Sequence, residues 1–321
     1  MTAELLDIAP GSRVLFIAST GGHLTQLVRI AQKIAAPRSS TWVTFDSAQS
    51  RSLLADYPDV RFIPYVAPRD AKATARATRF ITRVARTGAY DVALSTGAGV
   101  ALSLPALRLT GLRCIYIESV SRVSGPSLTG RILARLPGLE RRTQHVEWSS
   151  RRWPFEFTLL DDYVIGAPTD SPPAADRPLS LFVTLGTIRP YRFDALLDAV
   201  TRLLAPGYEV VWQVGCTTGI TLAGQVFEGM ERETLHGFAA RADVVISHAG
   251  VGTTLDLLDL GIRPVLLARR ASAGEHVDDH QQQIADVMSS RNLATVRTPE
   301  ALTRADLLAA RAQSVGLRSP S

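Results

Sequence analysis

Residues 243–256 read Asp-Val-Val-Ile-Ser-His-Ala-Gly-Val-Gly-Thr-Thr-Leu-Asp, and this pattern predicts a strand that feeds a helix through a glycine turn. Residues 243–246 are a short β-branched run of the kind that fills a buried parallel strand, and residues 253–260 set leucines at helical spacing before Gly261 stops them. Gly250 and Gly252 remove Cβ atoms where a ligand would approach the main chain. The N–H groups of Val251, Gly252 and Thr253 at the helix start favour an anion such as a diphosphate. Asp256, one turn further in, is placed to accept hydrogen bonds from sugar hydroxyls. A strand, turn and helix whose glycines serve only packing fits the same residues, so the turn has to be weighed with the rest of the chain.

Working outward, residues 13–19 form an apolar strand followed by Thr20-Gly21-Gly22-His23 and a helix, a second turn of the phosphate-binding type. Further β-rich runs stand at 41–45, 61–66, 91–95 and 114–118, with helical patterns between them. This alternation implies a doubly wound parallel sheet with ligands at the carboxyl ends of its strands. Residues 164–178 are rich in proline and small side chains, and 168–178 is the expected linker. After it the pattern restarts, with strands expected at 179–185, 209–214, 243–246 and 264–268. The expected organisation is α/β: two Rossmann-like doubly wound parallel-sheet domains, 1–167 and 179–321, facing across a cleft.

The composition is consistent with this. A chain of 321 residues with 46% hydrophobic content supplies two real cores. A net charge of +5 and a pI near 9.5 suit an acidic partner, whether nucleic acid, anionic lipid or diphosphate. No nucleic-acid motif and no basic strand interleaved with aromatics is present, so nucleic acid is not an expected partner. Cys114 and Cys216 lie in separate apolar segments without metal or redox spacing and read as buried free thiols of a reducing compartment. Residues 1–13 lack a basic stretch followed by an apolar core, and no run approaches about eighteen consecutive apolar residues. A cytoplasmic chain that does not span a membrane is expected.

The 243–256 stretch, with Gly261-Ile-Arg-Pro-Val-Leu-Leu-Ala-Arg269 and Gly274-Glu-His-Val-Asp-Asp-His-Gln281 downstream, resembles the nucleotide-sugar site of GT-B glycosyltransferases, family 28 in particular. The first half, through Gly21-Gly22-His23, Ser95-Thr-Gly-Ala-Gly99, Tyr116-Ile-Glu-Ser119 and Ser127-Leu-Thr-Gly-Arg-Ile-Leu133, resembles the acceptor-binding subunit of the enzyme that adds the second sugar to dolichol diphosphate. The second half, with Phe182-Val-Thr-Leu-Gly-Thr187, resembles its donor-binding subunit. The chain thus looks like a fusion of the two, as in bacterial exopolysaccharide transferases. It is more distantly similar to the peptidoglycan lipid-intermediate N-acetylglucosaminyltransferase. Two departures stand out. The family usually has Glu in place of Asp256, and Gly166-Ala-Pro-Thr-Asp170 occupies the hinge where the peptidoglycan enzyme has an arginine shortly after its Asn-Pro.

The resemblance implies that a UDP-sugar contacts Gly186, Thr187, Phe238, His248, Gly250, Val251, Gly252, Thr253 and Asp256, and beyond them Arg269, Glu275, His276, His280 and Gln281. It implies an acceptor site at Thr20, Gly21, Gly22, Gly97, Gly99, Ser119 and Arg122. Inverting transfer needs a base for the acceptor hydroxyl, stabilisation of the departing nucleoside diphosphate and exclusion of water. His23, directly after two glycines at a strand end, is the candidate base, with loop orientation as the alternative role. Glu118 either takes the acceptor proton or orients the sugar, unless it only pairs with an arginine such as Arg122. Helix starts can stabilise the leaving group without a metal. His276 and His280 are four apart with Asp278 and Asp279 between them, but no third protein ligand stands at recognisable spacing, so neither metal nor other cofactor is expected.

The expected reaction is inverting transfer of a hexose-type unit from a UDP-sugar to a polyprenyl-diphosphate-linked saccharide, in bacterial exopolysaccharide, capsule or wall glycan synthesis. A transferase acting on a soluble natural product and a non-catalytic nucleotide-sugar-binding subunit are the alternatives. On a helix expected over 70–86, Lys72, Arg76, Arg79, Arg83 and Arg86 fall within an arc of about 80°. Phe80, Ile81 and Val84 flank that stripe, so the helix is expected to meet an anionic membrane surface at the inner face of the plasma membrane. A core helix with a solvated basic face is the alternative.

Overall fold

A computed structural model of the chain describes residues 5–67, 69–166, 178–187, 190–276 and 279–318. The chain divides between Leu159 and Leu160 into two compact units. Most of the expected linker lies outside the described residues, and Leu160 onward groups with the second unit.

The first unit alternates strands and helices: β1 (Val14–Ala18), α1 (Gly22–Lys33), β2 (Thr41–Phe45), α2 (Ala48–Leu53), β3 (Val60–Ile63), α3 (Ala71–Thr87), β4 (Val92–Gly97), α4 (Leu104–Arg108), β5 (Arg113–Ile117), α5 (Leu128–Leu133) and β6 (Glu140–Arg142). The strands run parallel in the order β3-β2-β1-β4-β5-β6. Every residue of β1, β2 and β4 is buried, because helices cover both faces of a parallel sheet and leave no polar side. Strand order reverses between β1 and β4, which opens a crevice at their carboxyl ends.

The second unit repeats the design with β7 (Tyr163–Ile165), β8 (Ser180–Thr184), α6 (Asp194–Leu203), β9 (Glu209–Gln213), β10 (Gln225–Phe227), α7 (Arg232–Arg241), β11 (Val244–His248), α8 (Val251–Asp259), β12 (Val265–Leu267), α9 (His280–Ser290), β13 (Thr295–Arg297), α10 (Arg304–Arg311) and β14 (Val315–Leu317). Its parallel sheet has the order β10-β9-β8-β11-β12-β13, and here the reversal falls between β8 and β11. Outside the sheet, β7 pairs antiparallel with β14, the last strand among the described residues.

Every strand expected from sequence is present within a few residues of its expected ends; the run 61–66 keeps only its first part, in β3. The short strands β6, β7, β10, β13 and β14 lie beyond those expectations. Cys114 is buried as expected, and burial pushes its thiol pKa up to about 12. Cys216 is instead half-buried, because it sits in the turn after β9, where its thiol donates to the Tyr191 carbonyl at 3.0 Å.

Helix α3 begins at Asp70, whose carboxylate accepts from the Ala73 N–H at 2.9 Å. Its inward face is Ala73, Ala77 and Ile81, at steps of four. Ile81 is therefore a core residue rather than a flank of the basic stripe, and Val84 packs half-buried against the same core. Phe80 alone of the three is exposed, together with Lys72, Arg76, Arg79, Arg83 and Arg86. Among the described residues none of these five cations has a carboxylate partner, and no helix is long and apolar enough to cross a membrane.

Candidate active site

In the first unit the site is built around a bulge. Ile17 of β1 is opposite Ser95 of β4, but Ala18 is opposite Gly97, so Thr96 is an extra residue in the ladder. The unpaired Thr96 turns toward His23, the second residue of α1. His23 Nδ1 donates to the Thr96 carbonyl at 2.6 Å, and the Thr96 hydroxyl donates to the His23 carbonyl at 2.8 Å. A carbonyl can only accept, so Nδ1 carries the proton and Nε2 holds the lone pair of the neutral ring. Gly97 adopts φ +111, and a Cβ there would stand 2.9 Å from His23 Cε1, so only glycine lets β4 end against the imidazole.

Thr20 precedes α1, and Gly21 caps it without a side-chain hydrogen bond; the Gly21 N–H itself donates to Gln49 Oε1 at 2.8 Å. Gly22 opens the helix and Gly99 opens a 3₁₀ turn after β4. The α1 start therefore keeps an N-terminus suited to an anion.

Glu118 lies 1% exposed at the end of β5. Its Oε1 accepts from the Tyr116 hydroxyl at 3.0 Å and the Ser119 N–H at 3.3 Å, and its Oε2 accepts from the N–H and hydroxyl of Ser127 at 3.0 and 3.1 Å. Burial raises its pKa, opposed by the Ser127 and Tyr116 hydrogen bonds. The carboxylate fastens the β5–α5 loop, since Ser127 is the N-cap of α5. This position suits an anchor better than a base.

Ser119, expected to meet the acceptor, is also buried and belongs to a network that the sequence did not flag. Its hydroxyl accepts from Gln26 Nε2 at 2.9 Å, while Gln26 Oε1 accepts from the Val120 N–H at 2.9 Å and from Gln144 Nε2 at 3.1 Å. Gln26, one turn after His23, thus ties α1 to the loop that carries Arg122. Arg122 is half-buried, its carbonyl accepting from Trp148 Nε1 at 3.0 Å.

The second unit holds a comparable device with the strands exchanged. His248 ends β11, buried, with Nδ1 facing the Thr184 carbonyl of β8 at 3.4 Å. Burial, reinforced by the nearby Arg269 charge, lowers its pKa to about 3. Gly186, at φ +69 just after β8, and Gly250, just after β11, both lie where an added Cβ would collide with the ring. A Cβ on Gly250 would come 2.8 Å from His248 Cδ2 and closer still to Nε2. At Gly250 the missing side chain therefore makes room for a neighbouring imidazole. Gln213, unflagged by the sequence, fixes the Gly186 turn: its Oε1 accepts from the Gly186 N–H at 3.1 Å and its Nε2 donates to the Gly186 carbonyl at 3.0 Å.

Gly250 caps α8 with no side-chain hydrogen bond, so the N–H groups around Val251, Gly252 and Thr253 form a second helix start suited to an anion. Asp256 is buried one turn on and accepts from Arg232 Nη2 at 3.1 Å, so a sugar there would meet a carboxylate already paired with α7. Thr187 is exposed and borders residues outside the described set. Phe238 packs its ring against Phe182 and Phe227 at 6.2 and 5.6 Å between centroids, which makes it part of a small core.

Arg269, 1% exposed, is a clamp. Its Nη1 donates to the carbonyls of Tyr191 and Arg192 at 2.9 Å each, its Nη2 to that of Leu185 at 2.8 Å, and its guanidinium covers Phe193 at 5.0 Å. Glu275 and Gln281 are buried beside it, accepting from the N–H groups of Arg270 and Arg269 at 3.0 and 3.2 Å. His276 stacks on Tyr191 at 5.7 Å and meets His280 edge-on at 4.6 Å. Asp278 lies outside the described residues. Among those described, no group of three or more His, Cys, Asp or Glu side chains is arranged to hold a metal.

Comparison with known proteins supports the architecture. Residues 232–312 match the glycosyltransferase family 28 C-terminal domain, which here spans α7 to α10. No curated protein sequence matches the chain significantly. Among solved structures, MurG of Acinetobacter baumannii is 19% identical over 92% of this chain and 89% of its own, with a TM-score of 0.53. The glycosyltransferase SnogD from Streptomyces nogalater is 19% identical over 94% and 93%, with a TM-score of 0.54. S. aureus MnaA in its structure with UDP is 9% identical over 93% and 94%, at 0.54. The fold is GT-B, with two Rossmann-like units, and residues 232–312 are similar to the family 28 C-terminal domain.

Proposed function

We propose that the chain is an inverting, metal-independent glycosyltransferase that moves a hexose-type sugar from a UDP-sugar to a saccharide carried on a polyprenyl diphosphate. The observation that carries the reading is the His23–Thr96 pair, which keeps the proton on Nδ1 and leaves Nε2 as the basic nitrogen beside an open helix start. The acceptor hydroxyl gives its proton to Nε2 of His23 while its oxygen attacks the anomeric carbon. The glycosidic bond to the diphosphate breaks with its electron pair, and the N–H groups at the start of α8 receive the developing charge. The family 28 match over residues 232–312 supports donor binding by the second unit. The exposed basic face of α3 supports work at an anionic membrane surface, where the lipid-borne acceptor resides.

A likeness in fold to the glycotransferase of kitacinnamycin, 14% identical over 95% of this chain and 90% of its own with a TM-score of 0.57, favours one second reading, transfer to a soluble natural product. Purified protein incubated with several radiolabelled UDP-sugars and a bacterial lipid extract separates the two. Label in an organic-extractable, acid-labile product supports the lipid-linked acceptor; label only in water-soluble products supports the second reading. No transfer from any nucleotide sugar to either acceptor class overturns both.

A further inference from the structure

An open surface pocket of about 460 Å³ lies on the first unit, outside the residues assigned to donor and acceptor. Its walls are Pro126, the end of α5 with Arg131 and Arg135, and a tight turn with Ser150, Arg152 and Trp153. The turn is rigid: the Ser150 N–H donates to the Trp153 carbonyl and the Trp153 N–H to the Ser150 carbonyl, both at 3.0 Å. Trp153 is buried and packs edge-on against Trp148 and Tyr116 at 5.5 and 6.0 Å.

A fourth guanidinium braces the wall from behind. Arg141 donates to the Arg152 carbonyl at 3.2 Å and to the carbonyls of Leu133 and Leu136 at 3.2 and 3.3 Å, which joins the turn to the end of α5. Burial and, after it, the charge of Arg152 lower the Arg141 pKa. Arg131, Arg135 and Arg152 are exposed, and among the described residues none makes an ion pair or side-chain hydrogen bond. No acidic side chain lines the pocket, and Ser150 adds a hydroxyl donor.

Three unpartnered guanidinia and a hydroxyl around one pocket offer the kind of donors that phosphate and diphosphate oxygens accept from, and guanidinium groups bind such oxygens in bidentate fashion. We propose that this pocket is a binding site for a phosphate-bearing anion, separate from the two glycine turns. The phosphate belongs either to a soluble molecule or to a lipid headgroup. The site does not depend on the transferase reading. Its wall at Pro126 adjoins Ser127, which Glu118 holds, so an occupant would press on the loop that leads to α5.

The test is arginine modification by phenylglyoxal on the full chain, mapped by peptide mass spectrometry. Inorganic pyrophosphate at ten times its Kd should slow labelling of Arg131, Arg135 and Arg152 by about tenfold, since the unoccupied fraction falls as 1/(1 + [L]/Kd). Arg151, exposed at the same turn but outside the lining, serves as the reference. A second arm uses phosphatidic acid vesicles against phosphatidylcholine vesicles, with Arg76→Glu, Arg79→Glu and Arg83→Glu in place to silence α3. Protection by pyrophosphate alone supports a soluble phosphate; protection by phosphatidic acid, with or without pyrophosphate, supports a headgroup. Absence of protection in both arms overturns the proposal. So does equal protection of Arg151, or equal protection by sodium chloride at matched ionic strength.

Discussion

Thr96 grips His23 at two points, accepting from Nδ1 through its carbonyl at 2.6 Å and donating its hydroxyl to the His23 carbonyl at 2.8 Å. If Nε2 takes the acceptor proton, His23→Ala lowers turnover by roughly a hundredfold or more while UDP binding stays near wild type. Its half-buried position keeps the stability loss to about 1 kcal/mol, as for loss of one ordinary hydrogen bond. Turnover within a few-fold of wild type would remove the base assignment.

Glu118 should behave in the opposite way. Truncation to Ala strands the Tyr116 hydroxyl, the Ser119 N–H and both Ser127 donors in a buried space. At about 1–3 kcal/mol for a stranded buried donor, the expected loss in urea unfolding is about 3 kcal/mol or more. A variant as stable as wild type, yet inactive, would instead restore a direct role for the carboxylate.

Gly250→Ala adds a methyl group where the His248 ring already lies, and the main chain at Gly186 also lies close to the ring. Overpacking of this kind costs about 1–3 kcal/mol, although φ −78 at Gly250 suits alanine. In the double variant Gly250→Ala, His248→Ala the pressure is gone, so the two changes should be strongly non-additive in thermal or urea unfolding. Strict additivity would show that the glycine is there for another reason.

His248 also makes a prediction about pH. Its pKa is near 3 in the folded chain against an ordinary 6.5, so between these values the unfolded chain binds the extra proton. Stability due to this group is therefore complete above pH 6.5 and falls as the pH drops toward 3, by up to about 1.4 kcal/mol per pH unit. Urea unfolding of wild type and His248→Gln at pH 7, 6 and 5 isolates the contribution, because other titrating groups are common to both. Parallel pH dependences would mean that His248 does not carry this linkage.

On α3, Arg76→Glu, Arg79→Glu and Arg83→Glu should abolish cosedimentation with anionic vesicles at low salt. Each basic group near such a surface contributes about 1 kcal/mol, so wild-type binding should also weaken as salt rises. Wild-type protein that remains in the supernatant with anionic vesicles would leave the basic stripe as a solvated helix face.

The sequence made the two sheets legible because their central strands are buried on both sides and so become β-branched apolar runs, as at Val244–His248. The short edge strands carry no such mark: Glu140–Arg142 is entirely charged, and it joins β5 through its backbone and the Glu140–Arg113 ion pair. The glycine turns and both histidines could be found from local motifs. Their supports could not. Gln26 meets Gln144 across 118 positions and Arg269 meets Leu185 across 84, and a lone glutamine or arginine gives no sign of a distant carbonyl. The same limit hid the meaning of Gly250, since two glycines around a valine suit a ligand and a buried imidazole equally well.

The pairing of β7 with β14 makes the second unit a nearly closed loop of chain. Tyr163 stands opposite Leu317, and the Arg318 N–H donates to the Asp162 carbonyl at 2.7 Å, so the end of β14 runs directly into the start of β7. Asp161 and Tyr163 tie the same segment to Arg291 and Asp259 at 2.7 and 2.5 Å. A fragment excised at residue 179 would forfeit that strand and both ties, whereas one starting at 160 keeps them. A short turn joining residue 318 to residue 162 would make a β-hairpin of the two strands. The unit would then tolerate circular permutation, with new ends in the proline-rich segment between β7 and β8.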